Sequence, residues 1–370
     1  MQDTPAKKMP RDPSHPRALA STFDIPVERL RDGWYTDAYF NNSKRILEAE
    51  GRHPRGLMQV FQKHEALLGG IDEALAVLEL GAGHRAGDGS WTPGWGALEV
   101  RALAEGDRIE PWETVLTIEG DLSLFVHLET VYLGCLARGT LLRRNIARVV
   151  EAARGKSILF FPARHDHWAI QPADGWIANA AGVAGVSTDA QASRYGGIGI
   201  GTVPHALIAA YDGDTVAAAR AFADNCDPST RITVLVDFDN DSVGTALAVA
   251  KELGDELWGV RLDTSGTLID DSLANAPGSE EERRGVTPEL VRMVRAALDS
   301  AGHERVRIVV SGGFDAAKIE RFEAEGAPVD SYGVGSALRR GENDFTADVV
   351  RPRGKVGREE RPNSRLRRVR

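Results

Sequence analysis

The sequence predicts a parallel α/β barrel, whole or incomplete and TIM-like in plan, preceded by an N-terminal mixed α+β domain. Three observations predict it. From about residue 156, short β-branched runs alternate with helical segments, the grammar of parallel strands joined by crossover helices. Nearly every predicted strand then ends in a residue able to do chemistry: Arg164, His205, Asp237, Asp263, Ser311 and Gly335 in turn. The last two predicted strands are each followed by a glycine loop, where such barrels commonly hold phosphate. An open doubly wound sheet obeys the alternation too, but the repeated polar strand ends favour the barrel.

Taken in order, residues 1–20 read as a disordered arm, rich in Lys, Arg and Pro and without the apolar stretch of a signal peptide. Residues 21–155 form the N-terminal α+β domain. Met58–Lys63 alternates as a strand, Ile71–Leu80 has helical spacing, and Leu98–Ile118 reads as hairpins broken at Glu105-Gly106-Asp107 and Glu110-Pro111. Leu122–Arg138 carries its apolar residues on one helical face. Residues 156–342 form the barrel. Its expected strands are Ser157–Phe161, Gly197–Gly201, Ile232–Val236, Leu257–Leu262, Val306–Val310 and Ser331–Val334. Helices are expected at Asp214–Asn225, Val243–Leu253, Thr287–Ser300 and Asp315–Glu325. Residues 343–370 make a basic segment that returns to the N-terminal domain.

Composition narrows the function. A net charge of -9 disfavours a general nucleic-acid partner. The basic tail (Arg351, Arg353, Lys355, Arg358, Arg365, Arg367, Arg368, Arg370) reverses that sign locally, either as a solvated face or folded back toward anionic ligands. No apolar run approaches the roughly 20 residues that span a bilayer, so no membrane partner is expected. Cys135 and Cys226 lack the CxxC spacing of a zinc module and fit a reducing cytoplasm.

The clearest local site is Ser311-Gly312-Gly313-Phe314-Asp315, between a strand and a helix. Glycines there let backbone N–H groups approach an anion, and the helix N-terminus adds partial positive charge. Read blandly, it is a strand-to-helix turn with Asp315 as cap. A second glycine loop, Gly333-Val334-Gly335-Ser336, follows the next strand and shifts the balance toward a phosphate ligand. Asp237 and Asp263 end central strands, where a carboxylate can bind sugar hydroxyls, a magnesium ion, or merely a neighbouring Arg. Arg261 lies two residues before Asp263 and shares its strand face, so both can address one ligand. Gly201-Thr202-Val203-Pro204-His205 sets an imidazole at the same mouth, as acid/base or as nucleophile toward phosphate. Arg164-His165-Asp166-His167 matches no zinc spacing, and no metal-ligand set is assigned.

In sequence order, Tyr35-Thr36-Asp37-Ala38-Tyr39, Phe161-Pro162-Ala163-Arg164, Gly185-Val186-Ser187, Gly201–His205, Val236-Asp237, Arg261-Leu262-Asp263, Ser311-Gly312-Gly313 and Gly333–Ser336 resemble the nicotinate phosphoribosyltransferases. The resemblance extends from about residue 33 through Phe345–Val350. It implies an enzyme of NAD salvage that forms nicotinate mononucleotide and pyrophosphate from nicotinate and phosphoribosyl pyrophosphate (PRPP), with ATP as co-substrate and Mg²⁺ as cofactor. It implies a homodimer or higher homo-oligomer with shared active sites, in which Tyr39 stacks on the pyridine ring of the partner's site. Phe161 would cover the other ring face, and Arg164 would bind phosphate or carboxylate. His205, after Thr202, would be phosphorylated by ATP. Asp263 would hold the ribose, Arg261 the pyrophosphate, and Ser311, Gly312, Gly313, Gly333, Gly335 and Ser336 the 5′-phosphate; Asp237 joins the catalytic set.

Two of the departures from the family pattern bear on the chemistry. Arg261-Leu262-Asp263-Thr264-Ser265-Gly266 lacks a second acid, and Arg164-His165 stands where many members have two arginines. Ser187 occupies the place where amide-specific relatives carry a carboxylate, which favours the acid over nicotinamide. Quinolinate phosphoribosyltransferases share the architecture but lack the Gly-Thr-x-x-His element. A non-catalytic nucleotide-binding paralogue is the reading from outside enzymology.

Overall fold

The computed structural model describes residues 17–350 and 360–369. Most of the expected N-terminal arm, and Arg351, Arg353, Lys355, Arg358 and Arg370 of the tail, lie outside the described residues. The part of the arm that is described is fastened, because Arg17 Nη1 and the Ala18 N–H both donate to Asp72, at 3.1 and 3.2 Å. The chain divides into two compact units: residues up to Arg144 together with those from Gly341 onward, and Asn145–Arg340.

The first unit opens with helices Val27–Arg31 and Ala38–Ala49, then β1 (Arg55–Phe61) and β2 (Ala66–Leu67), followed by a helix at Ile71–Gly81. Half-buried Glu105 accepts from the Gly70 and Ile71 N–H groups at the start of that helix, each at 3.1 Å. Strands β3 (Gly83–Arg85) and β4 (Trp91–Pro93) follow, and then β5 (Glu99–Ala102), β6 (Arg108–Ile109) and β7 (Thr114–Asp121), where the sequence reads as hairpins. The expected helix Leu122–Arg138 is corrected at both ends. Two 3₁₀ turns occupy Leu122–Leu124 and Val126–Leu128, and the α-helix runs from Glu129 to Ala152. Asp121 drives the early turn by accepting from the Ser123 N–H, a local side-chain bond that competes with helix.

The second unit holds six parallel strands: β8 (Ser157–Phe160), β9 (Gly185–Val186), β10 (Ile232–Leu235), β11 (Leu257–Leu262), β12 (Arg307–Val310) and β13 (Ser331–Val334). They lie in the order β10-β11-β12-β13-β8-β9, a curled half-barrel. The fold class expected from the sequence is therefore the one found. One strand is not where it was expected. Gly197–Gly201 forms no strand, since Gly196, Gly197, Gly199 and Gly201 give it too much backbone freedom and too little to pack. The sixth strand is the short β9 instead. The glycine segment and the residues after it still join the sheet: Ile200 N–H donates to Val186 O of β9, and Val203 N–H donates to Thr233 O of β10, each at 2.8 Å.

Crossover helices begin at cap residues legible in the sequence. Asp214 accepts from the Ala217 N–H, Thr287 from Leu290 and Asp315 from Lys318, opening Thr215–Asn225, Pro288–Ser300 and Ala316–Ala324. Strands β10 and β12 are mostly aliphatic and, apart from Arg307, buried, as sheets covered on both faces require.

The chain then re-enters the first unit through β14 (Thr346–Val350), which pairs antiparallel with β1, and β15 (Arg367–Arg368), which pairs with β5. The first unit's main sheet thus reads β14-β1-β7-β5-β15 over a core that includes Met58, Val100, Ile118 and Tyr132. Among the described tail arginines, Arg365 pairs with Glu113 at 2.7 Å and Arg361 lies over Phe61 and Trp112 at 4.5 and 4.9 Å. Among the described residues, no helix is long and apolar enough to cross a membrane.

Candidate active site

Parallel strands place the side chains and loops that follow them on one edge of the sheet. There, in the second unit, most of the polar residues singled out in the sequence meet. Arg261 is the hub. Its Nε donates to Ser311 Oγ at 2.7 Å, Nη2 to Asp263 Oδ2 at 3.2 Å and Nη1 to Thr202 Oγ1 at 3.5 Å. Ser311 Oγ donates in turn to Asp263 Oδ1 at 2.6 Å. Two strand ends and the segment between β9 and β10 are thereby tied to one guanidinium, and Asp263 is oriented through both oxygens. The Arg261 guanidinium also lies 5.1 Å from the centre of the Phe161 ring. That ring needs Gly333 beside it, since a Cβ there would fall 2.7 Å from Phe161.

His205 and Asp237 form the second cluster. His205 Nε2 lies 3.2 Å from Asp237 Oδ1, with the imidazole half exposed and the carboxylate buried. Burial raises Asp237 above the ordinary carboxylate range, His205 opposes the shift, and the nearby Asp263 charge adds to it. The His205 ring packs edge-on against Phe238 at 5.9 Å.

The glycine loops supply donors. Gly312 and Gly313 have φ of +89° and +71°, a region favouring glycine, and their N–H groups bond to no described residue. The loop opens the helix Ala316–Ala324, where partial positive charge adds to these donors. Gly335 precedes a 3₁₀ turn at Ser336–Arg339, with Ser336 exposed.

Other expected residues stand apart from this network. Ser187 N–H and Oγ both bond to Gln191 Oε1, at 3.0 and 3.1 Å. Arg164 is exposed and has no ion pair among the described residues. Tyr39 belongs to the first unit, 61% exposed on the helix Ala38–Ala49. Among the described residues, no group of three or more His, Cys, Asp or Glu side chains gathers as a metal site.

Two residues near the site were not singled out for it. His165 packs on Gly335, whose Cβ would fall 2.8 Å from His165 Cε1. Its Nδ1 is buried with no hydrogen-bond partner among the described residues, and burial, with Arg164 and Arg339, lowers its basicity. Lys318 donates to Gly312 O at 3.1 Å. Its position, three residues past the Asp315 cap, was the available signal, but a lysine on a helix reads by default as solvated.

Comparison with known proteins fits this geometry. Residues 37–140 match the family model "Quinolinate phosphoribosyl transferase, N-terminal domain". A nicotinate phosphoribosyltransferase of Mycobacterium tuberculosis is 36% identical over 259 residues, 68% of this chain and 52% of that protein. The chain thus spans about half the length of that relative. The crystal structure of a nicotinate-nucleotide pyrophosphorylase from Pyrococcus furiosus superposes with a TM-score of 0.71 at 32% identity, covering 89% of this chain and 78% of that one. Human nicotinic acid phosphoribosyltransferase shares the fold, with a TM-score of 0.62 at 18% identity over 86% of this chain and 74% of that one. The chain belongs to the nicotinate phosphoribosyltransferase family and has its type II phosphoribosyltransferase fold.

Proposed function

We propose that this chain is a nicotinate phosphoribosyltransferase acting in NAD salvage in the cytoplasm, coupled to ATP hydrolysis. The observation that carries the reading is the Arg261–Asp263–Ser311–Thr202 network beside loops with free backbone donors. Asp263, held at both oxygens, is oriented to accept from the ribose hydroxyls. Arg261 offers its charge to pyrophosphate. The N–H groups of Gly312 and Gly313, with Gly333, Gly335 and Ser336, would receive the 5′-phosphate.

In the reaction the bond from ribose C1 to pyrophosphate breaks, its electron pair leaving with pyrophosphate. The pyridine nitrogen of nicotinate then forms the new bond to C1, giving a pyridinium mononucleotide without release of a proton. The protein contributes alignment and charge stabilisation. Phe161, with Tyr39 from a partner subunit, would hold the base, and Arg164 its carboxylate. Magnesium takes one or two carboxylates and otherwise substrate phosphate oxygens. The donor chemistry of Asp237 and Asp263, close enough to raise Asp237, fits that demand. Bound there, it would neutralise charge on pyrophosphate.

His205 would take the γ-phosphoryl group of ATP, releasing ADP, and water would later return it as phosphate. Asp237 holds the ring by accepting from Nε2–H, which leaves Nδ1 as the nucleophilic nitrogen. Ser187, bonded to Gln191, offers no carboxylate to repel an acid, which supports nicotinate over nicotinamide.

A second reading, quinolinate as substrate, is favoured by the family model matching residues 37–140. The His205–Asp237 pair, with no task in that reaction, speaks against it. The test is to incubate the chain with PRPP, Mg²⁺ and each base, with and without ATP. Mononucleotide from nicotinate, increased by ATP, is expected. Product from quinolinate with loss of CO₂ would establish the second reading, product from nicotinamide alone would move the specificity, and no product from any base would leave a binding protein.

A further inference from the structure

We propose that Lys318 is a positioning residue that locks the Gly312–Gly313 peptide in the orientation that presents the Gly313 N–H to a ligand phosphate. The inference rests on the transferase reading and concerns one loop of its site.

A trans peptide is planar, with its C=O and N–H on opposite edges. Whatever holds the Gly312 carbonyl therefore also aims the Gly313 N–H. Lys318 Nζ donates to that carbonyl at 3.1 Å. No other hydrogen bond fixes this peptide within the described residues. Both flanking residues are glycines at positive φ, and the space around the Gly313 Cβ position is empty. Neither sterics nor side chains oppose rotation of the plane, so a Gly-Gly peptide of this kind is free to flip unless something grips it.

The setting of Lys318 supports this role. It is the third residue of the helix Ala316–Ala324, where the macrodipole disfavours a cation. Burial, followed by the neighbouring Arg321 charge, brings its ammonium down to about 8. A lysine placed against both effects needs compensation. The Gly312 carbonyl supplies part of it, and the Phe314 ring, 4.2 Å from Nζ, supplies more. The charged groups around it are Asp315 and Arg321 on its own helix, Asp263 at the end of β11, and Arg340, itself 3.3 Å from Asp315.

The test uses the full chain with Mg²⁺, PRPP binding by calorimetry and steady-state rates. Lys318→Met should weaken PRPP binding about tenfold, the effect of one charge-assisted hydrogen bond. The KM for nicotinate at saturating PRPP should stay unchanged. Lys318→Arg should restore binding while adding no new base contact. Wild-type affinity for PRPP should fall as pH rises past about 8, where Lys318 loses its proton, and the Lys318→Met variant should lack this limb. A crystal structure of Lys318→Met should show the Gly312 carbonyl turned. Undiminished PRPP binding by Lys318→Met, or an unturned carbonyl, overturns the inference alone. No PRPP binding by the unaltered chain overturns the transferase reading, and this inference with it.

Discussion

At the amino ends of the parallel strands, charged side chains are matched to one another. Lys156, before β8, lies 2.7 Å from Glu323, which also accepts from the buried Tyr332 hydroxyl. Arg307 at the start of β12 pairs with Asp330 before β13 at 2.8 Å, and the other Asp330 oxygen accepts from the Ile308 N–H. At the carboxyl ends the same kinds of groups leave capacity unused. The Gly312 and Gly313 N–H groups have no partner among the described residues, and Asp237 sits in a buried place where burial and Asp263 oppose its charge. One edge of the sheet is stable because its polar groups are satisfied. The other holds polar groups in costly arrangements that a ligand can relieve, as expected of a site aligned before its substrate arrives.

Substitutions at the two edges should therefore separate activity from stability. The largest effect is expected for Asp263→Asn, which keeps the shape but removes the charge facing the ribose. Transfer should fall by roughly 10²–10³-fold in kcat/KM, a loss typical of removing one preorganised electrostatic group. An initial-rate assay with unchanged circular dichroism checks this, and a fall below threefold would remove Asp263 from the reaction.

His205→Ala should eliminate ATP hydrolysis while slow transfer without ATP persists. Measuring ADP release and mononucleotide in the same samples decides the point, because ATPase activity at the wild-type rate would free His205 of its assigned role.

At the opposite edge, Lys156→Met strands the Glu323 charge. Urea unfolding should show a loss of about 2 kcal/mol, below the full cost of breaking a buried pair because Lys156 is partly exposed. Its kcat/KM should match wild type, and a selective loss of PRPP binding would erase the contrast between the edges.

The smallest effect concerns Asp237 and runs in the opposite direction, toward greater stability. Its folded-state carboxyl is raised above 3.8, so between that value and the raised one the folded chain binds more protons than the unfolded chain. Its contribution to stability is thus fully present at low pH and declines as pH rises through the raised value. Asp237→Asn should melt at higher temperature than wild type at pH 8, with the gap narrowing on acidification, and should lose ATP coupling. Equal melting temperatures across that range would mean that Asp237 carries no strain.

Much of this was legible before the fold was seen. Helix starts at Thr215, Pro288 and Ala316 follow from cap residues whose side chains bond within three positions, a purely local interaction. Arg261 and Asp263 read as partners because residues two apart on a strand share a face, and they meet at 3.2 Å. The glycine run at 197–201 misled for the same local reason: it reads as a strand, yet its one bond to the sheet, from Ile200 to Val186 of β9, comes only from its placement beside that strand. The basic tail could be read two ways because charge patterning does not reveal a partner. Asp330 and Glu323 gave no sequence signal, since their partners lie in other elements, and Lys318 gave only its place after the Asp315 cap, since its partner depends on how a loop turns.

The sequence alone determined periodicity, caps, turn chemistry and the order of polar strand ends, all set by interactions between residues a few positions apart. Tertiary structure decided which of those polar groups share an edge and which are consumed there. Serine 311 illustrates the division: its place after a β-branched run is written locally, but its bonds to Arg261 and Asp263 span 50 and 48 positions. Contacts of that range exist only once parallel strands have been brought into register, because register is fixed by the packing of the whole sheet and not by any one segment.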